Sequence, residues 1–223
     1  MSSHLVILGH QGLGDFLICN AIVRHFAKRH DKVTIPCKFA SLASVAFMFR
    51  DLPNVYVFGV NGDVEATELA RHRERNYRAD TLGLGAFGHG PFDSSRFDQC
   101  FYEQAGLDFD LRWTGFEVLR GVPEKPVGDD PYLFMHDDTM RGFEIHRERL
   151  PSGLLIEMPY PRTETIFEFW GLIENAQEIH AINSSFALFA DSIPVKAKRK
   201  VIHAYARPGG EIPTFRNGWE VLS

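Results

Sequence analysis

Three short segments of this chain combine residue types suited to handling phosphates and protons. Gly9-His10-Gln11-Gly12-Leu13-Gly14-Asp15 follows the apolar run Leu5-Val6-Ile7-Leu8 and opens an amphipathic stretch. Glycines let a backbone turn tightly and approach a ligand, and a helix start offers unpaired N–H groups. A dinucleotide bound at such a turn normally also needs an acidic residue after the second strand to hold its ribose. That place reads Ile35-Pro36-Cys37-Lys38, so Lys38 would have to meet a 2′-phosphate instead, as in an NADP-dependent oxidoreductase. The plainer alternative is a tight strand-to-helix turn with Asp15 as its cap.

The second segment, His136-Asp137-Asp138-Thr139-Met140-Arg141, closes a predicted strand, and strand ends in open α/β sheets face the binding crevice. Arg141 would pair with a phosphate and His136 would donate to one. Asp137 and Asp138 alternatively offer oxygen ligands to a divalent metal bridging a diphosphate, and a solvated polar turn is the third reading. The third segment, Asn183-Ser184-Ser185, opens an apolar helix, where Asn183 or Ser184 would serve as N-cap. Glu157-Met158-Pro159-Tyr160-Pro161-Arg162 follows another strand and reads as a proline-stiffened turn.

These segments must be positioned by regular elements, and the apolar pattern supplies them. Leu5 to Leu8 suits a strand buried on both faces. Phe16, Cys19, Ile22, Val23 and Phe26 recur at helical spacing and predict one helix. Strands are expected from Lys32 to Pro36 and from Asn54 to Val60, with a helix over Ala40 to Phe49 between them. Helices are also expected near Glu65 to Glu74 and over Arg96 to Ala105, separated by a flexible loop rich in glycine at 83, 85, 88 and 90. The alternation implies a parallel sheet with right-handed crossovers. After three prolines and two glycines between Gly121 and Pro131, the scheme repeats. Strands are predicted at Tyr132–Met135, Gly153–Glu157, Glu178–Ile182 and, last, Lys200–Tyr205, and Thr165 with Glu168 has the spacing of a capping box. The expected architecture is α/β, with domains 1–122 and 123–223 forming two Rossmann-like halves whose parallel sheets face a cleft.

Composition limits the functions open to such a chain. Of 223 residues, 44% are hydrophobic and 13% aromatic, nineteen of them Phe, which excludes a wholly disordered chain. The 24 basic and 29 acidic residues leave a net charge of −5, which disfavours an electrostatic nucleic-acid binder. No apolar run approaches a membrane span, and Met1-Ser2-Ser3-His4-Leu5 has no basic segment leading into a signal-peptide core, so secretion is not expected. Cys19, Cys37 and Cys100 are an odd number without a C-x-x-C pair, which fits a reducing cytoplasmic compartment.

Gly12-Leu13-Gly14-Asp15 ahead of an amphipathic helix resembles the first loop of heptosyltransferase-like glycosyltransferases of the GT-B type, built from two facing Rossmann-like domains. The resemblance extends loosely to Glu178-Ile179-His180-Ala181-Ile182-Asn183-Ser184-Ser185-Phe186, a late strand-to-helix turn that holds the donor's diphosphate in that family. It implies a glycosyltransferase moving a sugar from a nucleotide-diphosphate donor to a glycan hydroxyl, as in polysaccharide biosynthesis. Asp15 is then the general base at a loop of Gly12, Leu13 and Gly14, and Asn183, Ser184, Ser185 and Arg141 hold the diphosphate with His136 nearby. It further implies that no metal cofactor is required. A non-catalytic nucleotide or sugar-nucleotide binding protein on the same scaffold is the alternative.

Overall fold

The computed structural model describes residues 3–121, 124–125, 127–160, 163–216 and 218–223. They form two compact units, Met1–Leu119 and Arg120–Ser223. The expected boundary between 122 and 123 lies outside the described residues, as do Val122, Pro123 and Pro126 of the connecting segment and Pro161 and Arg162 of the later turn.

In the first unit β1 (His4–Leu8) is buried along its whole length, as its unbroken apolar run requires of a strand covered on both faces. Next come α1 (Leu13–Ile18), α2 (Asn20–Ala27), β2 (Lys32–Lys38), α3 (Leu42–Met48) and β3 (Val55–Val60). They are followed by α4 (Asp63–Tyr77), β4 (Asp80–Gly83), α5 (Phe97–Gln104) and α6 (Leu111–Thr114). The sheet order is β3-β2-β1-β4, all parallel.

Two expectations need correction. The single helix read from Phe16 to Phe26 is divided at Cys19. There the buried Asn20 and Arg24 of α2 clasp the backbone of Glu117, with Asn20 Nδ2 3.1 Å and Arg24 Nε 2.7 Å from its carbonyl. The supposed loop before Gly85 begins as a strand, with Leu5–Leu8 paired to Asp80–Gly83 throughout. Gly83 serves there because the chain folds back over it; a Cβ would sit 1.9 Å from the Phe87 carbonyl oxygen.

The second unit contains β5 (Tyr132–His136), β6 (Leu155–Glu157), α7 (Trp170–Glu174), β7 (Glu178–Ala181), α8 (Ser185–Ser192), β8 (Arg199–His203) and β9 (Trp219–Leu222). Its order is β6-β5-β7-β8-β9, again all parallel. Glu168 does reach back to the Thr165 backbone N–H, at 3.0 Å, although the turn it opens is 3₁₀ over Ile166–Phe169 before α7 begins. The strand ending at His203 is not the last: β9 pairs beside it and is fastened to α8 through Trp219 Nε1, 2.9 Å from Asp191.

Both orders contain a topological switch. Successive strands run to one side from β1 through β2 to β3, and β4 then lies on the other side of β1. Likewise β6 and β7 flank β5. Loops leaving the C-terminal ends of the two strands at such a point diverge and open a crevice.

Candidate functional site

The Asp15 turn occupies the switch point of the first sheet. Gly9 and His10 leave β1, Leu84 leaves β4, and with Asp15 and Phe101 they line a small, mostly apolar pocket of about 20 Å³. His10 is held in an aromatic nest, its ring 5.7 Å from Phe87, 6.2 Å from Phe92 and 6.0 Å from Phe101. Gln11 is buried and braces the turn, donating to the Gly9 carbonyl at 2.9 Å.

Asp15 is not the cap it was expected to be in the plainer reading. Gly12 holds the N-cap position, and Leu13, Gly14 and Asp15 form the first helical turn. The Asp15 carboxylate reaches back to the Gly12 N–H, the backward half of a capping box. It fills the space a side chain at Gly12 would take: a Cβ there would lie 2.7 Å from Asp15 Oδ2. Burial lifts the carboxyl above its ordinary range. His10, the N–H groups of Gly12 and Asp15, and Lys38 oppose that shift without cancelling it. Lys38 itself ends β2 as an exposed residue.

The second sheet presents a different set at its own switch point. His136 ends β5 and Ser184 follows β7, and Ser184 Oγ lies 3.0 Å from His136 Nδ1. Burial lowers the His136 pKa to about 4, so the ring is neutral near pH 7. It also packs on Phe186, with centroids 4.4 Å apart. Ser184 is the N-cap of α8 by position, yet its side chain does not cap the helix because it is turned to His136. Asn183 does not cap either; its amide donates to the Glu211 carbonyl at 2.7 Å. The start of α8, with Ser185 as its first residue, is thus left without a side-chain cap.

Arg141 is exposed and gripped by Asp138, with Nε 2.6 Å from Oδ2. Asp137 is buried and paired with Arg147 at 3.0 Å. Both candidate metal-binding carboxylates are therefore engaged by guanidinium groups. Among the described residues no three His, Cys, Asp or Glu side chains converge as a metal site. Arg207, which sequence reasoning missed, joins the cluster from beyond β8: it donates to the Asn183 carbonyl and stacks over Phe143. Its only sequence signal was its place two residues past a predicted strand, a weak marker for one arginine among many. The structure thus groups His136, Ser184, Asn183 and Arg207, and the Arg141 charge is near enough to Arg207 to repel it. Asp15 belongs to the other unit with Gly12, Leu13 and Gly14.

No family model and no curated protein sequence matches the chain. Among solved structures, the iron-containing dodecameric glycosyltransferase TibC from enterotoxigenic E. coli H10407 matches with a TM-score of 0.55. The likeness is one of fold. Identity is 12%, and the match covers 97% of this chain but 63% of TibC, so this chain spans less than two thirds of that structure. What the two share is an α/β architecture with parallel sheets and helices. Among the described residues no helix is long and apolar enough to cross a membrane.

Proposed function

We propose that the protein is a glycosyltransferase that moves a sugar from a nucleoside-diphosphate donor to the hydroxyl of a glycan acceptor. The observation that carries this reading is Asp15, a half-buried carboxyl raised by desolvation in the lining of a small pocket at the switch point. A raised carboxyl is the stronger base once ionised, which suits removal of a proton from a sugar hydroxyl. As Asp15 takes that proton, the acceptor oxygen bonds to the anomeric carbon. The bond from that carbon to the diphosphate breaks, and the nucleoside diphosphate leaves with its electron pair.

Taken by itself, the second unit offers groups that suit a diphosphate. Arg207 supplies positive charge, to which Arg141 adds its own on exchanging Asp138 for phosphate. Ser184 and Ser185 supply hydroxyls, and the uncapped N–H groups of α8 complete the cradle. Neutral His136 orients the Ser184 hydroxyl. Arg207 would then neutralise the diphosphate, and Asp137 and Asp138 are paired with Arg147 and Arg141. The likeness in fold to a glycosyltransferase supports the same reading.

The test measures thermal shifts with nucleoside diphosphates, followed by donor turnover, for the wild-type chain and Asp15→Asn. Binding at 100 times the dissociation constant adds about 2.7 kcal/mol, an easily read shift. Asp15→Asn is expected to keep that shift and to lose roughly 10²–10⁴-fold in turnover, the range for a general base. Unchanged turnover overturns the role of Asp15. Nucleotide binding by a wild-type chain that transfers nothing makes it a binding protein instead.

A further inference from the structure

The second unit carries a row of buried polar side chains that the proposed transfer does not use. His180 on β7 and His203 on β8 are both fully buried, with Nδ1 of the first 3.0 Å from Nε2 of the second. The other nitrogen of His180 lies 3.0 Å from Glu178 Oε2, and that of His203 lies 3.0 Å from the Tyr205 hydroxyl. Tyr205 accepts the backbone N–H of His146 at 3.1 Å. Glu178 begins β7 and Tyr205 follows β8, so the row runs from the start of the strands to their C-terminal edge.

The row has one direction. The Glu178 carboxylate only accepts, so His180 donates from Nε2 and, as a neutral imidazole, accepts at Nδ1. His203 then donates from Nε2 and accepts the Tyr205 proton at Nδ1, while the Tyr205 oxygen takes the His146 N–H. Arg199 lies 3.6 Å from that carboxylate oxygen and ends the row on a positive charge. Burial lowers both imidazole pKa values, that of His203 to about 4, which keeps the rings in the neutral form this order needs.

The crossover from β5 to β6 explains why such a row is useful. It contains no α-helix, only 3₁₀ turns at Thr139–Arg141 and Arg147–Arg149. Phe143, Ile145, Leu150 and Leu154 hold it against Leu133, Met135 and Ile182. Part of its backbone pairs within itself, through the Asp138–Phe143 bridge and the two 3₁₀ turns, but the N–H groups of Ile145 and His146 take side-chain partners. Asp137 takes the Ile145 N–H and Tyr205 takes that of His146.

We infer that Glu178, His180, His203 and Tyr205 form a one-way hydrogen-bond relay that fixes Tyr205 as acceptor for the His146 amide and so positions the crossover bearing Asp138 and Arg141. These are positioning residues, and their link to diphosphate binding rests on the function proposed above. The charged and titratable groups facing the two rings are Glu178, Arg199, Glu220, His146 and Arg149. A second proton on either ring turns both of its nitrogens into donors and breaks the order.

The test is ¹⁵N-histidine NMR of the full chain at pH 7, with hydrogen exchange read at the His146 amide. Both rings are expected as Nε2–H tautomers. Glu178→Gln, whose amide can donate as well as accept, removes the direction at the far end. It is expected to speed His146 exchange about five-fold, the equivalent of one hydrogen bond, with Tyr205→Phe doing at least as much. An Nδ1–H tautomer on either ring overturns the relay. So does fast exchange in Tyr205→Phe with none in Glu178→Gln. Titration with inorganic pyrophosphate separates the two proposals: expected tautomers without pyrophosphate binding uphold the relay and remove the diphosphate site.

Discussion

The switch point of the first sheet presents a carboxyl, whereas that of the second presents arginines, hydroxyls and a neutral imidazole. Both lie where parallel strands end and neighbouring loops diverge, so sheet geometry alone does not choose the chemistry. The residues just after the strands choose it. In the first unit the N-cap is glycine, and the vacated space lets Asp15 fold back against its own turn, beside apolar walls that raise its pKa. In the second the N-cap is Ser184, whose hydroxyl is drawn off by His136, leaving the helix start uncapped beside Arg207. In the proposed function one turn holds a proton and the other an anion.

The comparison breaks most sharply at Gly12. Its φ of −75° admits alanine, so Gly12→Ala is expected to fold, with a melting temperature within a few degrees of wild type. The new methyl group must displace the Asp15 carboxylate, since their separation would be 2.7 Å. A misplacement near 1 Å costs on the order of 10² in rate. Turnover falling that far while nucleotide affinity holds would confirm that the two turns have separate tasks; a parallel loss of both would deny it.

A smaller effect is expected from Arg207→Ala. Hydrogen bonds to a charged group contribute about 1.5–3 kcal/mol, so nucleoside-diphosphate affinity should weaken roughly 10- to 100-fold. Calorimetric titration reads this directly, and unchanged affinity would take Arg207 out of the anion site.

Acid provides the finest distinction, because the two turns respond with opposite signs. His136 and His203 have folded pKa values of about 4, below the ordinary 6.5, so the unfolded chain binds more protons between those values. Their contribution to stability is complete above pH 6.5 and is lost as pH falls toward 4. Asp15 is raised instead, so the folded chain binds more protons just above pH 3.8, and acidification relieves its burial. Melting curves across pH 4–7 should therefore slope more steeply for Asp15→Asn than for wild type, and less steeply for His136→Gln. Equal slopes in all three would remove the contrast.

Much of this arrangement was legible in the sequence. The continuous run Leu5–Leu8 required a strand covered on both faces, and strand–helix alternation required parallel sheets with crossovers. β4 and β9 were not legible. Asp80–Gly83 is short and has a single large apolar residue, and Trp219–Leu222 is a partly exposed edge, so neither carries a periodic signal. The helix break at Cys19 was also hidden, because Asn20 and Arg24 are clasped to a residue more than ninety positions away.

The sequence by itself determined which residues stand at strand ends, because local hydrophobic pattern and glycine placement act over a few residues. It put Asp15, His136, Ser184 and Arg141 at such ends. Only the tertiary structure decided what each one does there. Burial raises Asp15 and neutralises His136, Ser184 is turned from capping by a ring on another strand, and Arg141 is held by Asp138. Arg207 and the His180–His203 pair take their places only once β5, β7 and β8 lie side by side. Desolvation and hydrogen bonding across strands depend on neighbours distant in the chain, and no local pattern of residue types encodes them.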